Sequence, residues 1–212
     1  MMKAFMCMLF LALPAFVSAQ VVISEIMYDA PGSDDREEWV EVYNSGTGAV
    51  DTAGWKFNDG ANHIIFPSPQ KGGQGTTTLD AGGYAILAQD AVTFLKQHPG
   101  FSGTVMHTAI NLKNTGGTIS LLPASGVVMD TVSYNASSGA NGNGNSLQKV
   151  LTAWISAPAT PGGAYVPKPV APKQNVSAPP QNVPDTITPT VPADTHREQE
   201  LVVPESLKPI SI

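Results

Sequence analysis

The chain has 212 residues, 17 acidic against 11 basic side chains, a formal net charge of −6 and a single cysteine, Cys7. Arg36 is the sole arginine before the C-terminal tail and the lysines are scattered singly, so binding to nucleic acid through phosphate neutralisation is not expected.

The chain opens with Met1, Met2 and Lys3, a short n-region with one positive charge. An almost unbroken apolar run from Ala4 to Phe16 follows, then the small-residue stretch Val17-Ser18-Ala19. This is the layout of a secretory signal peptide, with cleavage expected after Ala19 and a secreted, extracellular product. The run is shorter than the roughly 20 apolar residues that span a bilayer. Gln20 stands where a lipoprotein would need cysteine. Because Cys7 lies inside this leader, the mature chain is expected to have no disulfide, no thiol nucleophile and no cysteine-bound metal.

From Val21 the pattern becomes one of short strands between turn residues. Val21 to Met27 reads as the first strand. In Glu38-Trp39-Val40-Glu41-Val42-Tyr43, Val40 and Val42 share one face and Trp39, Glu41 and Tyr43 the other. Such period-two alternation marks a half-buried strand. Further strands are expected at Trp55 to Phe57, His63 to Phe66, Thr76 to Leu79, Tyr84 to Ala88, Thr118 to Leu122, Val127 to Tyr134 and Leu147 to Trp154. Asn58-Asp59-Gly60, Ala81-Gly82-Gly83 and Thr115-Gly116-Gly117 punctuate them. Asp90 to His98 alone reads as helix, capped by Asp90 and ended by Pro99-Gly100. Many short strands and one small helix predict an all-β sandwich or barrel.

The composition changes near Ala157: twelve of the 18 prolines lie from Pro158 onward, with one aromatic residue, Tyr165, among them. Such a stretch buries too little apolar surface to offset the entropy of ordering it. The expected division is therefore a leader at 1–19, a β-sandwich domain at 20–160 and a disordered, proline-rich tail or linker at 161–212.

Several of these segments resemble a known family. Ile23-Ser24-Glu25-Ile26-Met27-Tyr28 is similar to the opening strand of the lamin tail domain family, and Glu38 to Asn44 to its second-strand signature. Asp51-Thr52-Ala53-Gly54-Trp55 resembles its Leu-x-Gly-Trp entry, with Thr52 where an aliphatic residue is usual. Leu79 to Tyr84, Asn111 to Gly117, Met129 to Tyr134, Gly144 to Lys149 and Thr160-Pro161-Gly162 follow in the family's order. No one motif is specific; their order is. The resemblance, to bacterial secreted members, spans about residues 20–163 and implies an immunoglobulin-like β-sandwich. It implies little about activity, because such modules occur alone or beside hydrolases and nucleases, and fold kinship does not carry function.

The densest chemical feature is an acidic cluster from Glu25 to Glu41. Asp29, Asp34, Asp35 and Glu38 around the Ala30-Pro31-Gly32-Ser33 loop are a candidate Ca²⁺ site, since that ion takes about six to eight oxygen ligands from carboxylates and carbonyls. The plainer reading is a solvated acidic loop, with Glu25 and Glu41 as exposed strand residues. Trp39 and Tyr43, out of phase with Val40 and Val42, are a candidate binding surface on the outer sheet face, unless a neighbouring loop covers them. His63, His98 and His107 are isolated. Asn141 to Asn145 lacks the lysine and helix of a phosphate loop. No catalytic constellation emerges, no cofactor is required, and the chain is not expected to be an enzyme.

The leading expectation is thus a secreted, non-catalytic module for binding, adhesion or scaffolding, its partner a cell-surface polymer or an envelope protein. A calcium-stabilised adhesion domain and a hydrolase with an unrecognised site are the alternatives.

Overall fold

The computed structural model describes residues 21–168; the expected leader and the tail beyond Lys168 lie outside the described residues. The strands are β1 (Val21–Met27), β2 (Trp39–Asn44), β3 (Val50–Asp51), β4 (Lys56–Asn58), β5 (Asn62–Ile64), β6 (Thr78–Leu79) and β7 (Tyr84–Ala88). The helix α1 (Ala91–Gln97) follows, then β8 (Thr104–His107), β9 (Gly116–Leu122), β10 (Asp130–Asn135), β11 (Asn145–Val150) and β12 (Ala153–Pro158). A six-stranded sheet in the order β12-β11-β1-β2-β7-β8 faces a four-stranded sheet in the order β10-β9-β4-β5, with β3 and β6 paired separately. The expected sandwich is what forms.

The core lies between the sheets. Ile23, Ile26, Val40, Val42, Leu87 and Leu147 from the large sheet meet Phe57, Ile119, Leu121 and Val132 from the small one. Fully burying each such side chain contributes about 1.5–3 kcal/mol. Tyr28 and Tyr134 pack at 4.9 Å between centroids, and the Tyr28 hydroxyl donates to the Gly139 carbonyl at 2.5 Å. The sheets are also joined by a polar link: Ile23 N–H donates to Asp130 Oδ2 at 2.8 Å.

Two of these expectations shift, and the helix cap holds. The stretch Leu147 to Trp154 is two strands, because the chain reverses at Leu151, whose φ is 56°. β8 was not expected from the sequence. It pairs with β7 in parallel, and α1 makes the crossover that a parallel pair requires. Asp90 caps α1 as expected, its carboxylate accepting from Thr93 N–H at 2.8 Å, but the buried helix residues are Ala91 and Phe94 while Val92 faces outward.

Candidate functional site

The outer face of the six-stranded sheet holds the chemically distinctive groups, and a break in alternation puts them there. Val21 and Ile23 point into the core, so strict alternation would send Glu25 inward as well. The β1–β2 register slips between Ile23 and Glu25: Ile23 pairs with Val42, and Glu25 with Glu41. This bulge absorbs Ser24, turns Ile26 and Tyr28 to the core, and leaves Glu25 on the outer face directly beside Glu41.

Both carboxylates were expected to be exposed; they are 0% and 1% exposed. The cover is the chain itself. The segment 159–165, most of it expected to belong to the tail, lies over them. Thr160 N–H donates to Glu25 Oε1 at 3.1 Å and Gly162 N–H to Glu41 Oε2 at 2.6 Å. From below, the Ser146 hydroxyl donates to Glu25 at 2.5 Å and the Ser24 hydroxyl to Glu41 at 2.7 Å. Gln148 braces the Ser146 hydroxyl at 2.9 Å. Among the described residues neither carboxylate meets a Lys, Arg or His.

Burial pushes the Glu25 carboxyl up to about 7 against the pull of its Ser146 and Thr160 donors. Burial likewise lifts Glu41 to about 7; Ser24 and Gly162 oppose the rise and the Glu25 charge adds to it. Magnitudes show which charge is hard to hold. Directly opposed strand residues have Cβ atoms about 5 Å apart. Two unit charges at about 5.5 Å, with an effective dielectric constant near 20, repel by about 3 kcal/mol. Desolvation adds several kcal/mol for each ion. A donor gains only about 1 kcal/mol by facing an ionised rather than a neutral acceptor. The donors therefore accommodate one charge far more readily than two, and the acids titrate as a coupled pair.

Beside Glu41 the same face opens into a groove of about 260 Å³. Tyr43 and Tyr84 pair there at 4.6 Å between centroids, inclined by 30°. Val22, the Lys149 side chain and Leu151 form one side; Gly163, Ala164 and Tyr165 form another. Leu151 is 92% exposed. Burial raises the Tyr84 hydroxyl, helped by its Tyr43 and Glu41 neighbours and opposed by the Ala164 amide. Tyr43 lies on a partly open stretch of the outer face. Trp39 does not. It is 2% exposed, because α1 closes over that end of the sheet and Phe94 meets its ring edge-on at 5.6 Å.

The acidic first loop is arranged differently. Asp29 Oδ1 and Asp34 Oδ2 both accept from Asn114 Nδ2, at 3.1 and 2.9 Å. Burial, then the Asp34 charge, raises the Asp29 carboxyl. Asp35 is exposed. Glu38 turns inward, accepts from Leu112 N–H at 2.8 Å and is lifted to about 7, by burial first and then by Asp34, Asp59 and Asp29. Among the described residues no group of three His, Cys, Asp or Glu side chains is placed to hold a metal ion.

Sequence reasoning missed the Glu25–Glu41 pair. The signal was there in the phase change from Val21 and Ile23 to Ile26 and Tyr28, which demands a bulge between them. Ser146, Gln148 and Thr160 carried no comparable signal, because only the strand order brings them to Glu25.

Comparison with known proteins adds the last piece. The family model of the Lamin Tail Domain matches residues 14–136, a range that takes in β1 through β10. No curated protein and no solved structure matches the chain. With that match over more than half its length, the chain belongs to the lamin tail domain family of immunoglobulin-like β-sandwich modules.

Proposed function

We propose that the chain is an exported, non-catalytic module that binds a polymer of the cell surface through the Tyr43–Tyr84 groove. The observation that carries this reading is that groove: an aromatic pair with largely apolar walls, open on the outer face of the large sheet. Rings of this kind, with an apolar face and a polar edge, suit the alternating apolar and hydroxyl surfaces of sugar rings. The buried acids support a binding role over a hydrolytic one. Glu25 and Glu41 spend their oxygens on hydroxyl and amide donors of their own domain. Export is supported by the layout of residues 1–19.

The test is retention of the purified chain on cell-wall polysaccharide, with Tyr43→Ala and Tyr84→Ala beside the wild type. Retention of the wild type, weakened about tenfold or more by each substitution, is the expected result. Equal retention of all three, or of none, sinks the reading. Retention on envelope proteins alone would move the partner to that class.

A further inference from the structure

The last stretch of the described chain is fastened to the sheet through two acids. Glu25 and Glu41 are opposed in the β1–β2 ladder, and both are buried. The strands beneath them are held by ladders on both sides, β11 next to β1 and β7 next to β2. The segment after Pro158 has no ladder; β12 ends there. It is held on this face by a row of amides, by the Thr160 hydroxyl at Glu25 and Gln148, and by Ala159 against the Phe94–Phe101 cluster. Thr160 N–H reaches Glu25, Gly162 N–H and Gly163 N–H face Glu41, and Ala164 N–H faces the Tyr84 hydroxyl. Gly162 adopts φ 89° to make its contact, a conformation open to glycine and costly to other residues.

The groups facing the pair leave its charge uncompensated. β2 adds Tyr43 and β7 adds Tyr84. β11 adds the neutral Ser146 and Gln148, and at the groove Lys149, whose ammonium lies 4.0 Å from Asp130 instead. The covering segment adds Thr160 and Tyr165.

We propose that residues 159–165 form a proton-gated clasp, docked while the Glu25–Glu41 pair keeps a proton and lifted off the sheet when the last proton leaves. Two adjacent buried charges need water. The covering segment is the element that can move aside to admit it without breaking a strand ladder. The elevated titration of both acids, caused by burial, sets the transition near neutral pH. Gly163, Ala164 and Tyr165 also wall the groove, so opening the clasp dismantles that wall. The clasp itself does not depend on what the groove binds.

Hydrogen exchange on the full chain, corrected for intrinsic rates and compared at pH 5.5 and 8.5, tests it. Protection of the Thr160 and Gly162 amides is expected to fall about tenfold or more at the higher pH and to end well below that of Val42 and Ile86, which exchange only by wider unfolding. The double variant Glu25→Gln, Glu41→Gln keeps the shape and the acceptors, so its protection is expected to stay flat. Should that variant not fold, carboxyl carbon shifts of the wild type give the same answer: both acids titrate near neutral pH, in step with the Thr160 and Gly162 amides. Unchanged wild-type protection, carboxyls that titrate below about pH 5, an equal fall in the double variant, or protection at Thr160 and Gly162 equal to that at Val42 and Ile86 at about pH 8.5 would each overturn the proposal.

Discussion

The domain has two acidic regions of opposite character. The first loop places Asp29, Asp34, Asp35 and Glu37 close together in sequence, and they are partly or fully exposed. Glu25 and Glu41 are sixteen positions apart (41 − 25) and become direct neighbours, both buried, because β1 and β2 pair at that register. Acids crowded along an exposed loop keep water between them and interact weakly. Acids that share a sheet face and a cover interact strongly, because water is excluded from between them.

The sharpest way to break this comparison is to delete one acid from each region. Glu25→Ala strands the Ser146 hydroxyl and the Thr160 amide beneath the covering segment. It should cost about 3 kcal/mol in urea unfolding of the full chain at pH 5.5. Asp35→Ala removes an exposed side chain and should change stability by less than about 0.5 kcal/mol. Equal costs would mean that the buried pair is no more than a second solvated cluster.

The pH dependence carries the same contrast to the whole domain. Glu25, Glu38 and Glu41 bind their protons more tightly in the folded state, near pH 7, than in the unfolded chain near 4.5. Between those values the folded state carries more protons, so stability falls as pH rises. Each group contributes up to about 1.4 kcal/mol per pH unit. The contribution is complete below the unfolded value and gone above about 7. Asp90 acts in the opposite sense: its Thr93 amide bond lowers its carboxyl, so its contribution is lost only under more acidic conditions. The melting temperature should therefore be higher at pH 5 than at pH 8, and Glu25→Gln with Glu41→Gln should flatten most of that slope. A melting temperature that rises from pH 5 to 8 would show that the amide donors outweigh burial.

The sandwich was readable because its evidence is local. Val40 and Val42 alternate with Trp39 and Glu41, Tyr84 to Ala88 is bounded by glycines and Asp90, and the cap of α1 lies within four residues of its partner. What escaped depends on contacts far along the chain. Trp39 is covered by Phe94, and Glu25 meets Thr160 across a separation of 135 residues. β8 escaped because its partner β7 lies on the other side of a helix. The proline count beyond Ala157 suggested a tail and concealed the packing of residues 159–165, since that segment docks largely through backbone amides and composition describes side chains.

A glycine in each region tests the same contrast at smaller scale. Gly32 in the acidic loop and Gly162 in the covering segment share a positive φ, 85° and 89°. A Cβ at Gly32 would meet nothing within 4 Å, whereas one at Gly162 would sit 2.9 Å from the Phe101 ring. Gly32→Ala should cost about 1 kcal/mol, from backbone conformation alone. Gly162→Ala adds the displacement of Phe101 and the strained amide at Glu41, and should cost about 2 kcal/mol with faster exchange at Thr160. Equal costs would show that the covering segment is loosely held.

The smallest effect is expected where the sequence drew most notice. A calcium ion at the first loop would need about six to eight oxygens turned toward one point. Asp29 and Asp34 instead share the Asn114 amide, and Glu38 is committed to the Leu112 N–H behind them. Assembling a site would mean giving up those three hydrogen bonds and bringing a buried carboxyl to the surface. EDTA followed by millimolar Ca²⁺ should therefore move the melting temperature by less than about 1 °C. A saturable rise of several degrees would mean that the ion repays that rearrangement, and the loop would then join the clasp as a second ordered acidic element.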